Sequence, residues 1–122
     1  MSEHAEQSAL MEWAAYHAGR YPELVLLYAI PNGGHRHKAV AAKLSAEGVK
    51  SGVPDLHLPV ARCGFHGCYI EMKFGKNSTT DNQKWWLGAL ANEGYYVTVC
   101  WTWEAARDVL TNYLEGALST SP

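Results

Sequence analysis

A chain of 122 residues has the length of one domain and leaves no room for two independent cores. With 48% hydrophobic and 18% charged residues, its composition is that of a globular protein and not of a disordered one. The longest apolar run, 24–30, is too short to cross a bilayer, the first residues do not resemble a signal peptide, and three cysteines cannot all pair with each other. We therefore expect a cytoplasmic protein and exclude membrane, secreted and fibrous classes.

The formal net charge is −2, but it is unevenly distributed along the chain. From Arg36 to Lys84 there are eight basic residues and four acids, which gives +4, whereas the flanks carry two basic residues and eight acids, which gives −6. A basic middle segment could form a surface that faces phosphates. Its charges could equally be ordinary solvated side chains. Charge alone leaves both possibilities open.

The apolar and turn residues predict helices and strands in the order αβαββαβα. The predicted elements are a helix capped by Ser2 that runs to about residue 18, a buried strand at 24–30, a helix at 37–47, a hairpin of strands at 55–60 and 68–73, a helix at 81–92, a strand at 95–101, and a last helix capped by Thr102 that reaches about residue 114. The helix between the last two strands is long enough for a crossover. We therefore predict one α/β domain over 1–118 with a mixed sheet, followed by a frayed tail at 119–122.

The residues that indicate chemistry lie on the two arms of the predicted hairpin, as Pro54-Asp55 and Glu71-Met72-Lys73. Side chains alternate along a strand, so Glu71 and Lys73 share one face while Met72 points to the other, into the core. Strand pairing can place Asp55 beside Glu71, and two neighbouring carboxylates suit Mg²⁺ or Mn²⁺. An adjacent lysine can position a water or offset charge that develops on phosphorus. The plain alternative is a solvated strand face with an ordinary cross-strand ion pair.

Five short stretches occur in one series along the chain. They are Glu3-x-x-x-Gln7, Ile30-Pro31-Asn32-Gly33-Gly34-His35-Arg36, Gly48-Val49-Lys50-Ser51-Gly52-Val53-Pro54-Asp55-Leu56, Ile70-Glu71-Met72-Lys73 and Gln83-Lys84-x-Trp86. The Glu-x-Lys triplet alone is a weak signal, but the whole series in this order is specific. In it the chain resembles the PD-(D/E)XK nucleases, and among them the small stand-alone VRR-NUC proteins of phages, over roughly residues 3–114.

The resemblance implies a restriction-endonuclease-like fold, in which helices flank a mixed central sheet. It also implies Mg²⁺-dependent hydrolysis of DNA phosphodiesters, with Mn²⁺ able to substitute. The metal would be held by Asp55 and Glu71, with the backbone carbonyl of Met72 as an additional ligand. Lys73 would be the catalytic lysine.

Two further site residues are expected from the helices. The first-helix acid of the family falls on Glu3, with Gln7 one turn later on the same face, although Glu6 is a competitor if the register differs by one turn. Gln83 shares a helix face with Trp86 and is expected near the site, where it would help to hold the nucleophile or the scissile phosphate. A glutamine that only bonds the preceding loop explains Gln83 nearly as well.

A set of basic residues is predicted to contact DNA. Arg36, and less strongly His35, could meet a phosphate from the glycine-rich loop, although a plain strand-to-helix turn also explains those glycines. The other predicted DNA contacts are Lys38, Lys50, Lys76 and Lys84. Two histidines and two cysteines near the hairpin could instead hold zinc, but their spacing lacks the usual paired pattern; they are His57, Cys63, His66 and Cys68. The five tryptophans are more typical of a core or an interface than of base stacking.

The resemblance further implies a homodimer that resolves four-way DNA (Holliday) junctions, in the cytoplasm of a bacterial host if the protein comes from a phage. A two-fold symmetric dimer presents two sites, so it can cut two strands of a junction. Apolar residues near the end of the chain could bury against a partner subunit or in the core of one subunit; they are Trp101, Trp103, Val109, Leu110, Tyr113 and Leu114. The alternative function is a non-catalytic DNA-binding or phage scaffold domain that keeps the fold.

Overall fold

The order of helices and strands is the predicted one. The structure is a computed structural model that describes residues 1–31 and 37–118, so the predicted tail lies outside the described residues. Its elements are α1 (Glu3–Tyr16), β1 (Tyr28–Ala29), α2 (Lys38–Ala46), β2 (Leu56–Leu58), β3 (Cys68–Met72), α3 (Asp81–Asn92), β4 (Tyr96–Cys100) and α4 (Trp103–Leu114). Within the two described ranges, no helix is long and apolar enough to span a membrane.

Three of these helices begin at a hydroxyl side chain. Ser2 accepts a hydrogen bond from the third N–H after it, and Thr80 and Thr102 do the same at the starts of α3 and α4. Such caps satisfy N–H groups that have no partner inside the helix, and each typically stabilises a protein by about 1 kcal/mol. The polar residues that precede the apolar stripes therefore fix where these helices start.

The four strands form one mixed sheet in the order β1-β2-β3-β4. The pairs β1–β2 and β2–β3 are antiparallel, and β3–β4 is parallel with α3 as the crossover between them. In the central pair, Leu56 lies opposite Ile70 and Leu58 opposite Cys68. The predicted α/β fold, with a mixed central sheet flanked by helices, is confirmed.

The core lies on one face of the sheet, under α1 and α4. Alternate residues of β2 and β3, such as Leu56 and Ile70, pack there against Leu10, Leu110 and Tyr113, all of them 1% exposed or less. The terminal apolar residues are thus largely used within one subunit, because Leu110 and Tyr113 are fully buried. The partly buried ones are Trp103, Val109 and Leu114, while Trp101 is exposed.

The predicted buried strand at 24–30 is wrong. Pro22–Leu26 forms a 3-10 turn instead, and only Tyr28–Ala29 pairs with β2, with both side chains exposed. The cause is the spacing of the apolar residues: Leu24 and Leu27, three apart, are buried, whereas Val25 between them is 73% exposed. A short apolar run fits a helical turn as well as a strand, and proline is favoured in a first helical turn.

Candidate active site

The end of the β2–β3 hairpin brings the two predicted carboxylates together. Asp55 immediately precedes β2, and the pairing of Leu56 with Ile70 brings it level with Glu71. The backbone N–H of Met72 donates a hydrogen bond of 2.7 Å to Asp55 Oδ2. The Asp55 side chain therefore accepts a hydrogen bond from the last N–H of β3 on the side that faces β2. This contact fixes the Asp55 carboxylate beside Glu71.

Glu71 is buried, which excludes the solvated strand face that the sequence left open. Its side chain is 1% exposed, and its Oε2 accepts a hydrogen bond of 3.3 Å from Gln83 Nε2. Among the described residues, Oε1 has no hydrogen-bond partner although it is fully buried. A buried polar atom without a partner is unfavourable, so this oxygen is arranged for something that binds it.

The surroundings of Glu71 oppose its ionisation. Burial raises the pKa of its carboxyl well above the ordinary value of 4.5, and the charge of Asp55 raises that pKa further. The charge of Lys73 acts in the opposite direction, and Glu3 adds a weaker upward effect on the same pKa. Lys73 is itself only 6% exposed. Two acids and a buried lysine therefore share one small region, and the raised pKa of Glu71 is typical of groups at functional sites.

Gln83 links the start of α3 to this region. Its backbone N–H donates to Thr80 Oγ1 and its side-chain Oε1 accepts from the Thr80 N–H, which forms a capping box. Its remaining polar group, Nε2, is the one that reaches Glu71. The one amide therefore bonds the loop through its oxygen and Glu71 through its nitrogen, and its part in holding the nucleophile or the scissile phosphate stays a prediction.

The two candidate acids of α1 have different neighbours. Glu3 is half-buried, acts on the pKa of Glu71 and accepts a hydrogen bond of 3.5 Å from Asn77 Nδ2. Glu6 is 5% exposed, and its Oε1 accepts a hydrogen bond of 2.8 Å from the backbone N–H of Trp103, the first residue of α4. Glu6 is thus engaged in holding α4. Sequence reasoning missed this contact because no local pattern connects residues so far apart.

Glu3 also lines an open cleft. The cleft has a volume of about 590 Å³ and is bounded by polar side chains of α1, among them Gln7, and by Ile30 and Pro31. The predicted pair Glu3 and Gln7, one helical turn apart, therefore faces the same space. The lining of this cleft includes neither Asp55 nor Glu71, so Glu3 is related to the carboxylates by its effect on the pKa of Glu71.

The donors present fit a hard divalent cation. Asp55 and Glu71 offer carboxylate oxygens, and oxygen ligands are those that Mg²⁺ and Mn²⁺ prefer. The unpartnered Glu71 Oε1 is the structural observation that favours a cation at this place. In the described part of the chain, no group of three or more His, Cys, Asp or Glu side chains is arranged to hold a metal. A bound cation would therefore rely on two carboxylates plus backbone or substrate oxygens.

The residues of the alternative zinc site have separate roles. The His57 ring hydrogen-bonds to the Tyr28 hydroxyl at 2.8 Å and stacks on Tyr69, with ring centroids 4.1 Å apart. Cys63 donates a weak hydrogen bond to the Tyr113 carbonyl. Cys68 is buried in the core on the opposite face of the sheet, where burial raises the pKa of its thiol to about 12. A thiol held in its neutral form is a poor zinc ligand.

The predicted DNA-contacting lysines all reach solvent. Those that the structure describes are Lys38, Lys50, Lys76 and Lys84, and each is exposed. The two predicted contacts in the glycine-rich loop, His35 and Arg36, lie outside the described residues. The four exposed lysines are available for phosphate contacts, which remain a prediction.

The mixed sheet carries a buried glutamate, a half-buried aspartate and a buried lysine at its central hairpin, and comparison with known proteins gives the family. The model of the VRR-NUC domain matches residues 1–102, so the chain belongs to the VRR-NUC family, which is of nuclease type. Among solved structures, one named VRR_NUC domain protein is 26% identical, covers 99% of this chain and 98% of its own, and has a TM-score of 0.77. Among curated proteins there is no match. The resemblance found in the sequence is confirmed.

Proposed function

We propose that this protein is an Mg²⁺-dependent endonuclease of the PD-(D/E)XK type that hydrolyses DNA phosphodiesters. The observation that carries the proposal is the buried Glu71 Oε1, which has no hydrogen-bond partner among the described residues. This oxygen belongs to a carboxylate that neighbours Asp55 and Lys73 in a chain of the VRR-NUC family. An oxygen in these surroundings is stabilised by a cation and destabilised without one.

The cation would be held by Asp55, Glu71 and the backbone carbonyl of Met72. A strand residue directs its N–H and C=O toward the same neighbouring strand, and the Met72 N–H donates to Asp55, so we expect its carbonyl on that side too. When bound, Mg²⁺ lowers the pKa of a coordinated water and polarises the phosphodiester. Mn²⁺ prefers the same oxygen ligands and should substitute for it.

The chain's own residues orient the reacting groups. The Met72 N–H fixes the carboxylate of Asp55, and the Gln83 amide fixes that of Glu71, each through one oxygen. Lys73 follows Glu71 at the next position on the same face, where its ammonium can position a water and offset the charge that develops on phosphorus. Glu3, which lines the open cleft beside α1, would support the site from that helix. Fixed orientation of this kind is how an active site avoids reorganisation during the reaction.

We further propose that two copies act together on four-way junctions in the bacterial cytoplasm. A two-fold dimer presents two such sites, and the exposed lysines, with His35 and Arg36, would supply phosphate contacts. Apolar side chains suited to an interface lie mainly outside α4, in the 3-10 turn, α2 and α3. The most exposed of them are Val25, Leu26, Val40 and Trp85.

The catalytic assignment is tested by substitution at the site. Asp55→Asn, Glu71→Gln and Lys73→Ala should each reduce cleavage of DNA in Mg²⁺ by at least about 10²-fold. The two carboxylate variants should bind DNA as well as the original protein or better, because they lose negative charge beside phosphates. Glu93→Gln, at an exposed position after α3, is the matched control and should cleave normally. Substantial cleavage by either carboxylate variant would place the site elsewhere, and binding without any cleavage by the original protein would favour the scaffold alternative.

The substrate assignment needs its own experiment. Light scattering should give a mass near twice 13.5 kDa, and a plasmid with an extruded cruciform should be nicked on opposing strands in preference to linear duplex. A monomer that cuts plasmid regardless of the cruciform would contradict the junction proposal and leave the nuclease proposal standing.

A further inference from the structure

A second cavity lies where α3 meets the segments that follow β1 and α2. It has a volume of about 340 Å³ and is lined mainly by apolar side chains, with the half-buried indole of Trp86 at one wall and Ile30 and Val53 among the others. Two charged residues, Glu47 and Lys50, belong to the same lining. Small-molecule pockets commonly measure about 300–1,000 Å³, so this cavity suits one planar group and not a longer segment.

Its walls are connected directly to the site. The Ile30 N–H donates a hydrogen bond of 2.8 Å to the backbone carbonyl of Asp55. Val53 lies two residues before Asp55, and Trp86 lies one helical turn after Gln83, the residue that contacts Glu71. A strand held at the carboxylates would therefore have a neighbouring nucleotide within reach of the cavity.

The chemistry of the lining matches a nucleobase. An indole ring stacks on any base, and apolar side chains cover the rest of a base's planar faces. Lys50 can contact the backbone phosphate, while the carboxylate of Glu47 can accept a hydrogen bond from an exocyclic amino group. The adjacent Trp85 differs, because its ring is 64% exposed and stands at 88° to that of Trp86.

We propose that this cavity receives one unstacked nucleobase next to the phosphodiester held at Asp55 and Glu71, and that Trp86 is the ring on which the base stacks. The inference rests on the proposed nuclease function. Removing a base from a stack costs least where it is unpaired or distorted. The cavity of each subunit would therefore favour DNA strands at branch points, whether or not the protein is a dimer.

Binding of fluorescein-labelled branched DNA, measured by anisotropy in EDTA so that no strand is cut, tests the proposal. Trp86→Leu keeps an apolar side chain but removes the aromatic face, and it should weaken binding about 5- to 150-fold, the range for loss of one stacked base. Trp86→Phe should retain most of the affinity. Tyr16→Leu, which removes an aromatic side chain that is 81% exposed on α1, is the matched control and should bind as the original protein does. Thermal melting of each variant shows whether it is folded.

A cycle with the DNA separates stacking from a general effect on the fold. When an abasic nucleotide replaces the base on either side of the cleaved bond, the original protein should lose affinity at one of the two positions, and Trp86→Leu should cause no further loss there. Equal binding of intact DNA by Trp86→Leu and the original protein would overturn the base cavity alone. Equal losses of affinity on intact and abasic DNA would overturn it too. So would a change in the mass of Trp86→Leu in light scattering, because it would show that a second copy of the chain occupies the cavity. Failure of the original protein to bind any DNA would overturn the proposed function as well.

Discussion

The buried carboxyl of Glu71 leads to a prediction about stability that requires no DNA. The pKa of this group is raised from 4.5 to about 9 by burial and by Asp55. Below pH 4.5 it is protonated in both the folded and the unfolded chain. Between the two pKa values only the unfolded chain releases the proton, so the free energy of unfolding falls as pH rises, by at most about 1.4 kcal/mol per pH unit.

Glu71→Gln should therefore stabilise the metal-free protein at neutral pH. Glutamine has the shape of the protonated acid, carries no charge and can keep the hydrogen bond to Gln83. From pH 4.5 to pH 7 this effect lowers the free energy of unfolding of the original protein by at most about 3 kcal/mol. We therefore expect the free energy of unfolding of the variant to be higher by about 1–3 kcal/mol at pH 7. At pH 4 the two proteins should agree within about 0.5 kcal/mol.

Urea unfolding at pH 4 and pH 7, in EDTA, measures this difference. Glu93→Gln, an exposed control, should show no gain at either pH. Adding Mg²⁺ at about 100 times its dissociation constant should then stabilise the original protein by about 2.7 kcal/mol and Glu71→Gln much less. A variant that is no more stable than the original protein at pH 7, or whose gain is the same at both pH values, would refute the raised pKa of Glu71.

Five further substitutions test the remaining assignments. Thr80→Ala should cost about 1 kcal/mol of stability and leave cleavage nearly unchanged. Gln83→Ala also loses the contact to Glu71 and should lower kcat more than tenfold. Urea unfolding and single-turnover cleavage, measured on both variants, distinguish these two effects. Glu6→Ala should cost about 1–3 kcal/mol because it leaves the first N–H of α4 unpaired, while Glu3→Gln should lower cleavage without loss of stability. Lys50→Ala should make the logarithmic salt dependence of DNA binding shallower by about one unit, and an unchanged slope would show that this lysine contacts no phosphate.

The hairpin site could be predicted because its geometry is local. Asp55 and Glu71 lie in consecutive strands, so the two-residue period of a strand and one register were enough to place them together. The apolar run at 24–30 could not be assigned from pattern, because burial of Leu24 and Leu27 decides between a turn and a strand only after the core has formed.

Other features depended on tertiary contacts that no local pattern records. The apolar side chains of a helix normally face a core, yet no residue of α2 is buried, and Val40 is 45% exposed. The sequence does not show whether the Gln83 amide bonds the preceding loop or the site, because this depends on where α3 packs against β3. The hydrogen bond between Glu6 and the start of α4 likewise joins residues that are far apart in the sequence.

The contact between Glu6 and α4 also determines which part of the polypeptide must be kept intact in laboratory work. The family match ends at residue 102, and α4 begins at Trp103, whose N–H is the one that Glu6 accepts. A fragment trimmed to the matched region would expose the core side of α1 and lose Leu110 and Tyr113 from the interior. Inactivity of such a fragment would therefore reflect displacement of α1, and of Glu3 with it. It would give no evidence about the residues that act on the phosphodiester.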